Sequence, residues 1–262
     1  MSEFPSSSII HRQPARVKLL LALAMVISLS LAPNGAWYAY LFYLALILSV
    51  ELTSRVGLGF YHTRALMTLP FALAAAPLLL TGSPPYLDAG LPASWGLRIS
   101  ASGLERFLSI VFKSWGAVQV SLALAATTEV SELLAALRQI GIPRILVSIM
   151  GLMWRYLGLI RGEAQRLLQA RESRSAATRL KGMRTGGSLF WRARVASGMA
   201  GSLFLRSLER SERVYAAMAA RGYIGETLAA PVNALKPGEQ RTLIGGMFLL
   251  WIFLMLSWLT GR

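Results

Sequence analysis

The sequence predicts an all-α integral membrane protein, with about five transmembrane helices plus long cytoplasmic amphipathic helices. Three observations carry that prediction. Of 262 residues, 55% are hydrophobic and 15% are charged, and the mean hydropathy is +0.52; an ordinary soluble domain carries charge on about 25% of its residues. The apolar residues are gathered into runs near the length of a bilayer crossing, about 20 residues. The charge is one-sided, with 27 Lys and Arg against 12 Asp and Glu and a net charge of +15. Beside such runs, this excess reads first as a positive-inside cytoplasmic surface and only second as the phosphate footprint of a nucleic-acid binder.

Taken in order, the polar, basic tail Met1–Lys18 precedes an apolar run, Val17–Ala32, just long enough for a short span. Pro33-Asn34-Gly35 follows as a tight turn, with no small-x-small cleavage pattern, so the run is expected to be a retained first span. Ala36–Ser54 is the second span, opened by Trp37, Tyr38, Tyr40 and Tyr43 in the manner of an interfacial aromatic belt. Arg55, His62 and Arg64 fill the next loop, and Ala65–Leu80 is expected to be a third span interrupted by Pro70 and Pro77. The nearly uncharged loop Thr81–Gly103 leads to a fourth span, about Arg106–Thr128. Lys113 lies inside it and is expected to snorkel toward one end rather than form an ionisable site.

Glu129–Gln139 is short and amphipathic, and Gly141-Ile142-Pro143 ends it. Arg144–Gly162 is apolar but carries Arg155 and Arg161, which suits an interfacial or protein-packed helix better than a span. A basic, helix-compatible region continues to Tyr223, broken by the glycine-rich connection Lys181–Ser188. Ile224–Gln240 is a polar connection with Pro231 and Pro237, and Arg241–Leu259 is the last span. Residues 129–241 hold 18 Lys and Arg against 8 Glu. Five spans place this block, the N-terminus and the 55–64 loop on one side, the cytoplasm by the positive-inside rule. The expected organisation is an N-terminal membrane domain with four spans (1–128), a cytoplasmic helical domain (129–240) and a C-terminal transmembrane helix (241–262).

Several chemistries are missing. There is no cysteine, hence no disulfide, thiolate zinc site or cysteine nucleophile. His11 and His62 are far apart and make a poor transition-metal site; a tail residue and an interfacial loop residue describe them best. No HExxH, GxxxxGK[ST] or GxGxxG occurs, so the chain has no phosphate cradle with which to use ATP by itself. No catalytic constellation stands out.

The stretch Trp154–Tyr223 holds two long basic helices. On the second, Arg206, Arg210, Arg213 and Arg221 share one face at 100° per residue, and Phe204, Leu208 and Tyr215 the opposite one. Glu209 is spaced to pair with Arg206 or Arg213. Gly222 is placed to close the helix and leave Arg221 at its tip. On the first, the stripe Tyr156, Ile160, Leu167, Arg171, Arg174 turns from apolar to basic, so two arginines one turn apart mark its end. Arginine makes forked contacts to carboxylates, so such tips can dock into an acidic groove of a partner. Periodicity alone favours a plainer role, a basic helix lying on anionic lipid. The tip position of the arginines and the recurrence of Ala-Arg at both ends count against it.

These segments resemble the T components of energy-coupling factor (ECF) transporters, in the cobalt-type CbiQ branch of the EcfT family. The segments are Thr127-Thr128 before Glu132-Leu133-Leu134, Ile142-Pro143, Trp154-Arg155-Tyr156, Glu163, Ala170-Arg171-Glu172-Ser173-Arg174, and Glu209–Tyr215 leading into Met218-Ala219-Ala220-Arg221-Gly222-Tyr223. The resemblance implies an all-helical, non-catalytic scaffold in the cell inner (plasma) membrane. That scaffold would join two ABC-type ATPases, which use the ATP, to a substrate-binding membrane subunit that recognises the metal. It implies no cofactor in this chain, membrane lipid as a further partner, and no nucleic acid. It also makes Ala220-Arg221-Gly222 the second Ala-Arg-Gly motif and Ala170-Arg171 the first. Arg171 and Arg221 would then dock the ATPases. Glu172 replaces the first motif's glycine, and the longer Ala170-Arg171-x-x-Arg174 pattern fits the cobalt-type branch. Glu129–Gln139 would be a further short coupling helix. The implied substrate is cobalt; nickel, biotin or another vitamin is the alternative, and a self-contained secondary transporter, with Lys113 as its one midplane candidate, is a more distant one.

Overall fold

A computed structural model describes residues 10–11, 13–54, 56–68, 70, 73–79, 86–87, 99–175, 188–223 and 236–260. They form eight α-helices: α1 (Ala15–Leu31), α2 (Trp37–Ser54), α3 (Leu58–Ala65), α4 (Ala101–Thr127), α5 (Val130–Gln139), α6 (Arg144–Ser175), α7 (Leu189–Ala220) and α8 (Pro237–Thr260). A two-residue antiparallel ladder pairs β1 (Tyr86–Leu87) with β2 (Ile99–Ser100). The protein is therefore an all-α membrane protein, and among the described residues this minimal ladder, ahead of α4, is the β-structure. The chain forms two compact units, residues 1–140 with 233–262, and residues 141–232.

In the first unit α1 is the central element, packed on α4, α5 and α8, while α2 packs on α4 and α8. The buried cluster combines Met25, Leu29 and Ala32 of α1 and its end, Tyr40, Tyr43 and Ile47 of α2, Val120 of α4 and Leu250 of α8. Its polar atoms are matched internally: Ser28 Oγ and the Tyr43 hydroxyl lie 2.5 Å apart. A hydrocarbon interior offers no water to satisfy such groups. Much of the remaining apolar surface points outward, including Tyr38, Leu41, Trp251 and Trp258, as expected for side chains bathed by lipid.

Two lysines staple α1 to α4 in antiparallel register. Lys18, near the start of α1, donates from Nζ to the carbonyl of Thr127 at the end of α4, at 2.6 Å. Lys113 of α4 donates to the carbonyl of Ala32, which follows α1, at 2.5 Å, and to Asn34 Oδ1 at 3.2 Å. Each helix thus supplies a cation to the other's C-terminus, where unpaired carbonyls and the negative end of the helix dipole collect. Lys113 therefore caps a neighbouring helix instead of simply snorkelling. Between the staples Gly116 allows close approach, since a Cβ there would stand 2.8 Å from Leu29 Cδ2.

The runs at 17–32, 36–54, 106–128 and 241–259 all become helices, with ends shifted by a few residues. Part of the expected third span, 65–80, lies outside the described residues. Those described there include two 3-10 turns, Leu66–Thr68 and Ala76–Leu79, and between them an α-helical bond from the Ala74 N–H to the Pro70 carbonyl. Pro70 and Pro77 supply no N–H to an α-helical ladder, which suits the irregular backbone. The second turn lies against Gly103, whose missing side chain makes room for the carbonyls of Leu78 and Leu79. His62, expected in a loop, sits on α3 with Nδ1 4.0 Å from a Glu51 carboxylate oxygen. The short helix α5 packs on α1.

Among the described residues four helical segments are long and apolar enough to cross a membrane: Trp37–Ser54, Ala101–Thr127, Arg144–Arg174 and Pro237–Leu259. At 17 residues, α1 sits at the lower limit of about 17 for a span. Arg144–Gly162, expected to be interfacial or packed in protein, is part of one 32-residue helix. Its apolar side chains Ile145, Leu146, Met153 and Trp154 are exposed, so packing within this chain does not cover them.

Candidate docking helices and their arginine tips

The second unit is built on α6 and α7. Gly141, with φ +104°, turns the chain ahead of Pro143, whose carbonyl accepts from Leu146 and Val147 to start α6. Ser188 caps the start of α7, its hydroxyl accepting from the Trp191 N–H at 3.2 Å. Satisfying one of the free N–H groups of the first turn is what Ser does best at this position.

The end of α7 is defined by three backbone bonds. Arg221 caps the helix just after its last residue, Ala220, and Gly222 follows with φ +81°. The Gly222 N–H donates to the Ala219 carbonyl and the Tyr223 N–H reaches back to the Met218 carbonyl, both at 3.0 Å. This pair of bonds is a Schellman closure, which needs a left-handed residue at the glycine position. The chain stops abruptly there, and Arg221 is left exposed at the corner.

At the other tip, α6 runs through the Ala170-Arg171-Glu172-Ser173-Arg174 segment to Ser175. Ala170 and Arg174 are exposed and Arg171 is half-buried. No left-handed residue interrupts the helix at Glu172. The two tips therefore differ: Arg221 sits on a terminating turn, whereas Arg171 and Arg174 sit on continuing helix one turn apart. Among the described residues none of the three arginines takes part in an ion pair, so their charge is available to a partner.

The interior of this unit is ionic. Glu163 of α6 receives Arg206 Nη1 on Oε1 at 3.3 Å and Arg210 Nη2 on Oε2 at 3.2 Å. Arg206 and Arg210 are one turn apart on α7, so the two carboxylate oxygens engage successive turns of the same face. Glu163 is 8% exposed, and it is the one buried residue among those described in α6 and α7. The Arg206 hydrogen bond, aided by Arg210, holds its carboxyl below the ordinary value of 4.5. The face shared by Arg206, Arg210, Arg213 and Arg221 is thus divided in use. Its first two members grip α6, and Arg206 takes Glu163 rather than the expected helical neighbour Glu209. Phe204, Leu208 and Tyr215 on the opposite face are exposed.

Glu163 was legible as part of the motif set but not as a partner of α7. The signal available was its isolation, since no other acid occurs between Arg144 and Arg171.

The CbiQ family model, described as a cobalt transport protein, matches residues 6–230. The chain belongs to the CbiQ family. An energy-coupling factor transporter transmembrane protein, EcfT, of Brevibacillus brevis is 27% identical over 88% of this chain and 86% of its own length. Its counterpart in Lactococcus lactis is 24% identical over 97% and 95%. A cobalt transport protein, CbiQ, of Rhodobacter capsulatus is 26% identical over 79% and 76%. The CbiQ-family match spans both α6 and α7 with their tips, along with five of the six helices of the first unit, α1 to α5. Among the described residues no group of three or more His, Asp or Glu side chains is arranged to hold a metal ion.

Proposed function

We propose that the chain is the transmembrane T component of an ECF-type transporter, a non-catalytic scaffold that links paired ABC-type ATPases to a substrate-binding membrane subunit. The observation that carries this reading is the helix pair α6–α7, whose arginine ends are unpaired, with Arg174 and Arg221 exposed and Arg171 half-buried, and which belongs to a CbiQ-family chain with an apolar helical body. Ala170, Arg171 and Arg174 form one docking tip, and Ala220, Arg221 and Gly222 the other. Each would enter an acidic groove of one ATPase, where forked Arg–carboxylate contacts give both strength and orientation.

In this reading residues 1–128 and 241–262 lie in the cell membrane, with the N-terminus and residues 129–240 on the cytoplasmic side, where the 18 Lys and Arg of residues 129–241 satisfy the positive-inside rule. The short α5 acts as a further coupling helix. Cobalt ion is the proposed cargo, supported by the family description and by the Rhodobacter capsulatus relative. A T component serving nickel, biotin or another vitamin is the second reading, favoured by the relatives named only for the energy-coupling factor. ATP is consumed by the partners.

The test is co-purification of the assembled complex carrying Arg171→Glu together with Arg221→Glu. Loss of the ATPases and of cobalt uptake is expected. Retention of both would remove the docking role from these tips.

A further inference from the structure

We infer that Glu163 is the positioning residue that makes the two docking helices one lever. The inference rests on the docking role proposed above, but its first measurement does not depend on it.

The geometry is that of two long helices joined by one ionic contact. Glu163 is the buried residue of α6, and no described residue of α7 is buried. The pin is therefore a carboxylate held by two guanidinium groups rather than an apolar core. Two bonds to successive turns, at 3.3 and 3.2 Å, restrain rotation of α7 about the contact as well as translation. A single bond would restrain only separation.

The pin lies inboard of both tips. Glu163 is eight residues from Arg171, about 12 Å along α6 at the helical rise, and Arg210 is eleven residues from Arg221, about 16 Å along α7. A rotation of about 10° at the Glu163 contact moves the Arg221 tip by roughly 3 Å on that arm length, comparable to a whole hydrogen bond. A loose contact would let each ATPase shift its own tip alone. A pinned contact makes displacement of one tip appear at the other. The arginines also divide their labour: Arg206 and Arg210 serve the contact, and Arg171, Arg174 and Arg221 remain for the partner.

The cysteine-free sequence allows spin labels at two introduced cysteines only, Ser173→Cys and Ala217→Cys, both on exposed positions near the tips. In the full chain in lipid nanodiscs, with no ATPase present, the parent gives one narrow inter-label distance distribution. Glu163→Gln, which keeps the shape and removes the charge, is expected to broaden it at least twofold without lowering helix content. The swap Glu163→Arg with Arg206→Glu and Arg210→Glu is expected to restore the narrow distribution. In the ATPase-bound complex, a non-hydrolysable ATP analogue is expected to shift the distance in the parent and in the swap, and to shift it by less than half as much in Glu163→Gln. An unchanged width in Glu163→Gln, or a swap as broad as Glu163→Gln, overturns the pin. Broadening in the free chain with an undiminished analogue response overturns the lever. Failure of the docking reading is told apart because the parent complex would not then assemble, while the free-chain widths would still report on Glu163.

Discussion

Replacing Gly222 isolates the backbone contribution to the α7 tip. A Cβ built on Gly222 meets nothing within 4 Å, so Gly222→Ala introduces no clash with a neighbour. What it introduces is an L-residue at φ +81°, which costs roughly 1–2 kcal/mol. That range corresponds to a factor of roughly 5 to 30 in the population of the closed turn, at tenfold per about 1.4 kcal/mol. When the turn opens, the bonds from Gly222 to Ala219 and from Tyr223 to Met218 are lost, and Arg221 is no longer held at a corner. If docking needs the closed turn, apparent affinity for the ATPase pair falls by up to the same factor. The assay is binding of the purified ATPases to the chain in nanodiscs, measured by biolayer interferometry. Gly222→Asn, which tolerates the left-handed region, is expected to fall between the parent and Gly222→Ala. Gly198→Ala is the internal control: it lies inside α7, also with nothing within 4 Å, and should stabilise the helix by about 0.5–1 kcal/mol. Equal affinity for Gly222→Ala and the parent would refute the reasoning, as would an asparagine variant weaker than the alanine one.

Two further outcomes follow from the ionic contacts. Lys113→Met removes the bonds to Ala32 and Asn34; hydrogen bonds to a charged group contribute about 1.5–3 kcal/mol, offset in part by relief of the buried charge, so a drop of a few degrees in the thermal midpoint in detergent is expected, and no drop would show that the staple is dispensable. The Glu163 carboxyl is held below 4.5 in the folded unit, so its contribution is fully present above its unfolded value and is lost as pH falls through the lowered folded value. The inter-tip distance distribution should stay narrow from neutral pH down to about 4.5 and broaden only below it; broadening near pH 6 would point to a different group.

Most of the first unit was legible in the sequence because a bilayer imposes a rule that one chain can obey locally. Runs of about 20 apolar residues must become helices there, since each helix satisfies its own backbone. This made 17–32, 36–54, 106–128 and 241–259 readable without any knowledge of their neighbours. At 65–80 the rule did not foresee the two 3-10 turns among the described residues. Hydropathy counts side chains and is blind to the N–H groups that Pro70 and Pro77 lack. The closure of α7 was also readable, because a left-handed glycine directly after a helix is a local requirement.

What the tertiary structure alone decided is which charge meets which. Local spacing paired Arg206 with Glu209; the fold gave it to Glu163, 43 residues away in the chain. Lys113 had no acid near it in sequence, and it found a carbonyl 81 residues away at the end of another helix. Periodicity places residues on a face of one helix and carries no information about the face opposite. Apolar contacts are forgiving enough that a pattern suffices to foresee them, whereas an ion or hydrogen-bond pair needs two specific atoms brought to about 3 Å. For this protein, the sequence therefore determined the membrane helices, the basic side and the arginine tips. Only the packing of α6 on α7 determined that two of the arginines hold the arms together while the tip arginines stay free for a partner.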